Sequence, residues 1–472
     1  MNNTENLKPT LGLIDATMIV AGSMIGSGIF IVSADMARQV YSPGWLIVMW
    51  LLTGVITLIA ALSYGELSGM FPKAGGQYIY LRESYNKLVG FLYGWSFFTV
   101  IQTGTIAAVG VAFSKFAGYY IPALNMSDEN IIFSYGSFKL YPAQFMSIGL
   151  IILLTAINTR GVKEGKLIQN AFTFTKLAAL FGIIIFGFII GFDLEIWNAN
   201  WSNAFAMDSV KDVDGLTVMS HLTVWGLIGG ISTAMVGSVF SSDAWNNVTF
   251  IAGEIKNPAK NIGLSLFLGT LIVTIIYISA NLMYLGNLSM HDVAFAAQDR
   301  VGVAASQHIF GEVGTYIIAA MIMISTFGCN NGLILSGARV YYTMAQDGLF
   351  FKQAARLNKN QVPAWALWAQ CFWASALCLS GTYGNLLDYV VFTVMVFYIL
   401  TIAGIFILRK KRPDLARPYK APGYPIVPAL YILLALAFCI CLLTFKPDYT
   451  WPGLIIVLLG IPVYYITQQA KA

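Results

Sequence analysis

Apolar runs of 17 residues or more recur along the whole chain, separated by short polar connections. Each is close to the roughly 20 residues that a helix needs to cross a bilayer. The pattern predicts twelve spans, over residues 11–40, 44–70, 88–120, 142–158, 166–192, 223–252, 261–285, 313–344, 363–381, 384–408, 424–444 and 451–468. No short hydrophobic segment with a small-residue cleavage site precedes them, so the first span is expected to be the targeting element.

Two of these spans are interrupted. Gly22 to Phe30 reads GSMIGSGIF, with three glycines and two serines in nine positions. Glycine costs a helix backbone entropy, and serine competes for backbone hydrogen bonds. A break inside a membrane leaves N–H and C=O groups that protein, a cavity or a ligand must satisfy. Span 1 also runs about thirty residues where roughly twenty suffice, which suits a two-piece helix. Taken alone, Gly22/Gly26 and Ser23/Ser27 equally fit small-residue helix packing. Span 6 decides between the two readings: Phe240 to Asn247, FSSDAWNN, places serines, an aspartate and two asparagines in mid-span. Interrupted first and sixth spans point to an inverted repeat of five plus five helices with a central binding site. The organisation expected is a cytoplasmic tail at 1–10, repeats at 11–192 and 223–408, and two added spans at 424–468.

Composition agrees with this pattern. Of the 472 residues, 57% are hydrophobic and 10% charged, with a mean hydropathy of +0.71, outside the range of soluble domains. With the N-terminus inside, the inner segments hold nineteen Lys and Arg and the outer ones five: Arg38, Lys139, Lys211, Arg300 and Lys446. The positive-inside rule then places both termini in the cytoplasm of a cell-membrane protein, and the net charge of +5 reflects topology, not affinity for nucleic acid. All five cysteines fall inside predicted spans and the three histidines have no metal spacing, so neither a disulfide framework nor a metal or cofactor site is expected.

Lys176 is the costly residue. It lies ten residues past Lys166, about 15 Å along a helix at 1.5 Å per residue, too deep for easy snorkelling. Ionisable groups at such depth face the protein interior with a partner, so Lys176 is read as a fixed cation organising carbonyls of the broken first span. Glu66, near the inner end of span 2, is read as a paired structural carboxylate in preference to a proton carrier. The amphipathic stretch Tyr78 to Lys87 is expected to lie along the inner interface with its aromatics inward. The connection from Asp193 to His221 shows nothing catalytic, and Asn330 and Asn331 are expected to hydrogen-bond between helices. No nucleophile or carboxylate cluster suggests an enzyme, no repeated rings of like residues suggest a channel, and the short termini leave little room for a receptor's signalling domain.

GSMIGSGIF, PKAGGQYIYLRESYNKLVGFLYGW, FSSDAWNN followed by EIKNP, and SGARVYYTMAQDG together resemble the amino acid–polyamine–organocation superfamily, in particular the L-type amino acid transporter branch and its bacterial relatives. The resemblance covers spans 1 to 10. It implies an all-α membrane protein of the LeuT type, with spans 1 and 6 unwound. It also implies a substrate carboxylate at the N–H groups of Ser27 and Gly28, with Gly26 beside them, and an ammonium at the carbonyls of Met24, Phe240 and Asp243. Phe240 would close over the substrate, Asn331 would stand near it, and Lys176 would take the place of a sodium ion bridging spans 1 and 5. Helix-end electrostatics agree with that polarity. Animal members carry a cysteine between spans 3 and 4 that bonds an accessory glycoprotein. Residues 121–141 hold none here, so no such partner is expected. Ser241 and Ser242 replace larger residues, and Ala244 replaces a usual glycine. The function implied is sodium-independent exchange of small or medium neutral L-amino acids. Proton-coupled symport is the alternative, with Lys176, Asp243 and Glu66 as titratable candidates, and a non-transporting amino acid sensor is the other.

Overall fold

The computed structural model describes residues 11–73, 75–136, 138–213, 216–380 and 383–469, without the side chains of 162–171, 173, 174 and 254. The tail at 1–10 lies outside the described residues. Seventeen helices follow in order: α1 (Leu13–Met24), α2 (Val32–Gln39), α3 (Pro43–Met70), α4 (Gln77–Ser84), α5 (Lys87–Ser96), α6 (Gln102–Ala117), α7 (Pro142–Thr159), α8 (Val162–Ile189), α9 (Leu194–Trp201), α10 (Val224–Ser241), α11 (Pro258–Asn287), α12 (Met290–Ala294), α13 (Val301–Gln346), α14 (Ala364–Ser380), α15 (Tyr383–Lys411), α16 (Ile426–Phe445) and α17 (Pro447–Gln469). A π-helical turn, Phe97–Ile101, joins α5 to α6.

Among the described residues nine helices are long and apolar enough to cross a membrane, or ten if the pair Thr175–Ile189 and Leu194–Trp201, bent by 95°, counts as one span. The chain is a multi-pass membrane protein. Helix covers all twelve predicted stretches, but the first and ninth are represented by the shorter apolar helices Leu13–Met24 and Ala364–Ser380. Two small antiparallel hairpins qualify the all-α expectation: β1 (Phe133–Tyr135) with β2 (Phe138–Leu140), and β3 (Asp208–Val213) with β4 (Leu216–His221).

The breaks fall where local chemistry dictates. After α1, a single 3-10 turn, Gly28–Phe30, precedes α2. After α10, Ser242 to Ala244 leave the helix and a 3-10 stretch, Trp245–Glu254, completes span 6. Ala244 adopts a left-handed conformation, φ 63° and ψ 7°, which glycine accepts without the Cβ penalty. Ala244→Gly is therefore expected to raise thermal stability by about 1 kcal/mol, checked by a melting curve in detergent.

The two broken spans cross antiparallel. α1 packs on the 3-10 stretch of span 6, and α2 packs on α10. At one face Lys256 N–H donates to Leu11 O at 2.8 Å, beside a parallel bridge between Leu11 and Ile255. We call this the terminal face, because α1 begins there and α17 ends there, with Tyr464 5.3 Å from Phe91. The opposite, loop face carries both hairpins and α12. α11 lies behind the pair, against α1 and α3. It approaches closely through small residues: a Cβ on Gly269 would stand 2.5 Å from Val20, and one on Gly54 would stand 2.2 Å from Thr274.

The helix of span 8 kinks at Gly311 (φ 66°), so its span proper starts next to the expected 313, and a further helical stretch, 301–310, precedes the kink. Ser306, Gln307 and His308 make that stretch too polar to read as span. The connection from Asp193 to His221 contains α9 and the second hairpin. α4 turns its aromatics inward as expected: Tyr78 and Tyr80 are fully buried under α15 and the 3-10 stretch of span 6, while the Arg82 and Glu83 side chains stay 24% exposed.

Candidate functional site

Lys176, on α8, is 1% exposed and donates from Nζ to the carbonyl of Gly22 in the last turn of α1. That carbonyl belongs to the helix end that the break leaves without its intrahelical partners, and a buried ammonium needs such an acceptor. Past it, Phe30 N–H donates to Ser27 O at 3.0 Å and Ile31 N–H to Gly28 O at 2.9 Å. Among the described residues no acceptor meets the N–H groups of Gly26, Ser27 and Gly28.

The glycines also have packing roles. A Cβ on Gly28 would stand 2.0 Å from Ser241 Oγ, and one on Gly26 would stand 3.3 Å from Cys329 Sγ on α13. Span 1 thus uses the same residues to break its helix and to approach span 6.

A third element ties the two breaks together. The hydroxyl of Tyr277, on α11, lies 3.0 Å from Met24 O and 3.0 Å from Ser241 O, so one proton is shared between a carbonyl of each broken span. Sequence reading missed this residue. The signal was a phenol in an otherwise apolar span, whose polar tip requires a buried partner. Tyr277→Phe keeps the ring, which packs edge-on against Trp50 at 5.2 Å, and removes only that proton. About a fivefold loss of substrate affinity with little change in fold is expected, equivalent to about 1 kcal/mol for one hydrogen bond, measured by binding in detergent.

Phe240, 8% exposed, meets Tyr383 of α15 edge-on with centroids 6.1 Å apart, and the Tyr383 hydroxyl stands 3.5 Å from Ser27 Oγ. Tyr383 also lines a cavity of about 340 Å³ toward the loop face, together with Ile31, Val32, Val236 and Gly237. The mouth of that cavity is charged. Asp299 pairs with Arg38 at 2.8 Å and Lys115 at 2.7 Å, and Asp388 pairs with Lys446 at 2.9 Å. Burial alone would raise the Asp299 carboxyl, but the Lys115 ammonium, the Arg38 guanidinium and their hydrogen bonds outweigh it and hold its pKa below the ordinary value. The pairing is therefore complete above the ordinary carboxylate range and is lost only as pH falls through the lowered value.

Toward the terminal face the packing is tight. Asp243 accepts from Tyr398 Oη at 2.5 Å, beside a cavity of only about 30 Å³ bordered by Asn246, Gln77 and Phe97. Asn246 donates to Gln77 Oε1 and Gln77 to Thr401 Oγ1, both at 3.1 Å. Below them Glu66, fully buried, takes both arms of Arg409 at 2.9 and 2.7 Å and the N–H of Ala421 at 2.8 Å. A carboxylate so fully paired acts as a structural anchor for α3 on α15.

The structure thus gathers Met24, Gly26, Ser27, Gly28, Lys176 and Phe240 around the first break, and places Asp243 at the second. Asn331 accepts from Asn158 Nδ2 of α7 at 2.8 Å and lines neither of these two cavities. Its neighbour Asn330 is fully buried, with neither amide atom partnered among the described residues.

Two broken spans crossing antiparallel, with a buried lysine on the first break and a small cavity beside the second, define a membrane transporter. The chain belongs to the amino acid permease family, whose family model matches residues 11–464. It is an amino acid transporter of the amino acid–polyamine–organocation superfamily, grouped with the L-type branch and its bacterial relatives. It is 29% identical over 462 residues to the large neutral amino acids transporter small subunit 2 of Oryctolagus cuniculus, covering 98% of this chain and 80% of that protein. It is 30% identical over 478 residues to the serine/threonine exchanger SteT of Bacillus subtilis, covering all of both. To the human b(0,+)-type amino acid transporter 1 it is 27% identical over 480 residues, covering 99% and 90%.

Proposed function

We propose that the protein is a sodium-independent exchanger of small or medium neutral L-amino acids, working by alternating access. The observation that carries this reading is the Lys176 ammonium on Gly22 O, which supplies a fixed positive charge at the break, where a dissociable cation would otherwise be needed. The substrate carboxylate would take the N–H groups of Gly26, Ser27 and Gly28, and the ammonium the carbonyls around Met24, Phe240 and Asp243. Ser241 and Ser242 leave room for a small side chain. The printed activity of the Bacillus relative, serine/threonine exchange, supports a small substrate.

The antiparallel crossing of the broken spans supports twelve spans in a five-plus-five inverted repeat, with repeats at 11–192 and 223–408 and two added spans at 424–468. The excess of Lys and Arg in the connections at the terminal face supports cytoplasmic termini. The cavity of about 340 Å³ would then open outward, while the tight terminal face closes the inner route. The absence of cysteine from residues 121–141 supports a transporter without a disulfide-linked accessory subunit.

Counterflow in proteoliposomes tests the exchange. Labelled serine trapped inside should leave when unlabelled alanine, serine or threonine is offered outside, with choline in place of sodium. Stronger competition by arginine or lysine than by alanine or serine would overturn the neutral preference. A proton-coupled mechanism would use Asp243, whose carboxylate rests on Tyr398 at the second break. It predicts uptake driven by an imposed proton gradient with no amino acid inside.

A further inference from the structure

Away from the substrate site, α5, the π-helical turn, α14 and α17 enclose a cavity of about 580 Å³ lined by Phe91, Trp95, Phe98, Phe350, Trp373 and Lys352. We propose that it binds an acyl chain of an anionic phospholipid, with Lys352 on the headgroup. The walls are apolar and fixed. Trp95 Nε1 donates to Ile456 O and Trp373 Nε1 to Thr99 O, both at 2.8 Å, so both indole N–H groups are spent and the ring faces remain for hydrocarbon. Phe350 stacks on Tyr341 at 5.3 Å and meets Phe98 edge-on at 5.6 Å.

The surrounding surface faces the bilayer: Phe372 on α14 is 75% exposed, and Leu458, Leu459 and Ile466 on α17 are each more than half exposed. Charge selects the headgroup. Residues 350–362 carry Lys352, Arg356 and Lys359 and no acid, and among the described residues Lys352, which is exposed, makes no ion pair. An anionic lipid gains from such a basic segment at the surface, whereas a zwitterionic one brings no net charge.

The π-helical turn connects this cavity to the transport path. Phe97 lines the small cavity beside Asp243, and its neighbour Phe98 lines the aromatic one. Single π-helical turns recur at functional sites. An acyl chain against Phe98 therefore bears on the turn that also packs at the second break. This coupling rests on the exchange reading, whereas the lipid binding does not.

The test titrates the full-length protein in detergent with phosphatidylglycerol and with phosphatidylcholine, followed by native mass spectrometry. Wild type should hold one phosphatidylglycerol more tightly than phosphatidylcholine. Lys352→Gln should weaken phosphatidylglycerol about fivefold, the worth of one basic residue at a membrane surface, and leave phosphatidylcholine unchanged, while Lys352→Arg retains the preference. Thr99→Phe, which fills the cavity, should weaken both lipids. Equal binding of the two lipids, or an equal loss from Lys359→Gln outside the cavity, would overturn the site, the latter because diffuse surface charge would then account for the preference. Exchange in phosphatidylcholine vesicles should rise when phosphatidylglycerol is added for wild type but not for Lys352→Gln. Identical rates with lipid binding intact would overturn the coupling alone.

Discussion

Lys176→Ala is expected to lower exchange about ten- to a hundredfold, although no atom that touches substrate is removed. The ammonium satisfies Gly22 O at the end of α1, and an orphaned buried acceptor costs about 1–3 kcal/mol, close to the one to two decades of affinity named here. Without it the last turn of α1 has no cation to hold its carbonyls, and the geometry of Met24 to Gly28 loosens with it. Lys176→Arg should rescue poorly, because a planar fork cannot occupy the place of a compact ammonium. Uptake by wild type and both variants, with choline replacing sodium and at two pH values, provides the measurement. A wild type that requires sodium, or an alanine variant at full rate, would show that Lys176 only packs.

Gly28→Val should abolish exchange, and Gly28→Ala should already reduce it strongly. Close approach by a substrate carboxylate is one reason. The structure supplies another, because the new Cβ would stand 2.0 Å from Ser241 Oγ and 2.8 Å from Ser241 Cβ. Overpacking of this kind costs about 1–3 kcal/mol and would push the two broken spans apart. The causes separate in the double variant Gly28→Ala/Ser241→Gly, which removes both clashing atoms and leaves Ser241 Cα at 3.2 Å. Partial recovery of exchange is expected. A folded double variant without any recovery would assign the loss to substrate approach alone.

Both breaks were legible because their causes are local: glycine and serine in span 1, and a cluster of polar side chains in span 6, act on the backbone where they stand. Lys176 was legible from depth alone, since a buried charge must find a partner wherever the chain leads. Its acceptor was foreseen only as a carbonyl of span 1, and the structure supplies Gly22. Contacts across the bundle were not legible. Nothing around Tyr277 in sequence says that its hydroxyl reaches both breaks, and nothing around Gly28 names Ser241 as the residue it faces. The first ten residues of α13 were missed for another reason: a helix outside the apolar layer need not be hydrophobic, so hydropathy cannot see it. α4 was legible in part: its alternating tyrosines and aliphatics say that the aromatics turn inward, but not that they dock under α15 and the 3-10 stretch of span 6.

The bridge between Leu11 and the turn at Ile255 and Lys256 has a practical side. Whatever precedes Leu11 is attached to the starting end of one broken span and, through that bridge, to the finishing end of the other. A bulky protein fused upstream would load both broken spans at once. α17, by contrast, packs on α5, α15 and α16, so a purification handle or fluorescent reporter placed after it would load neither broken span directly.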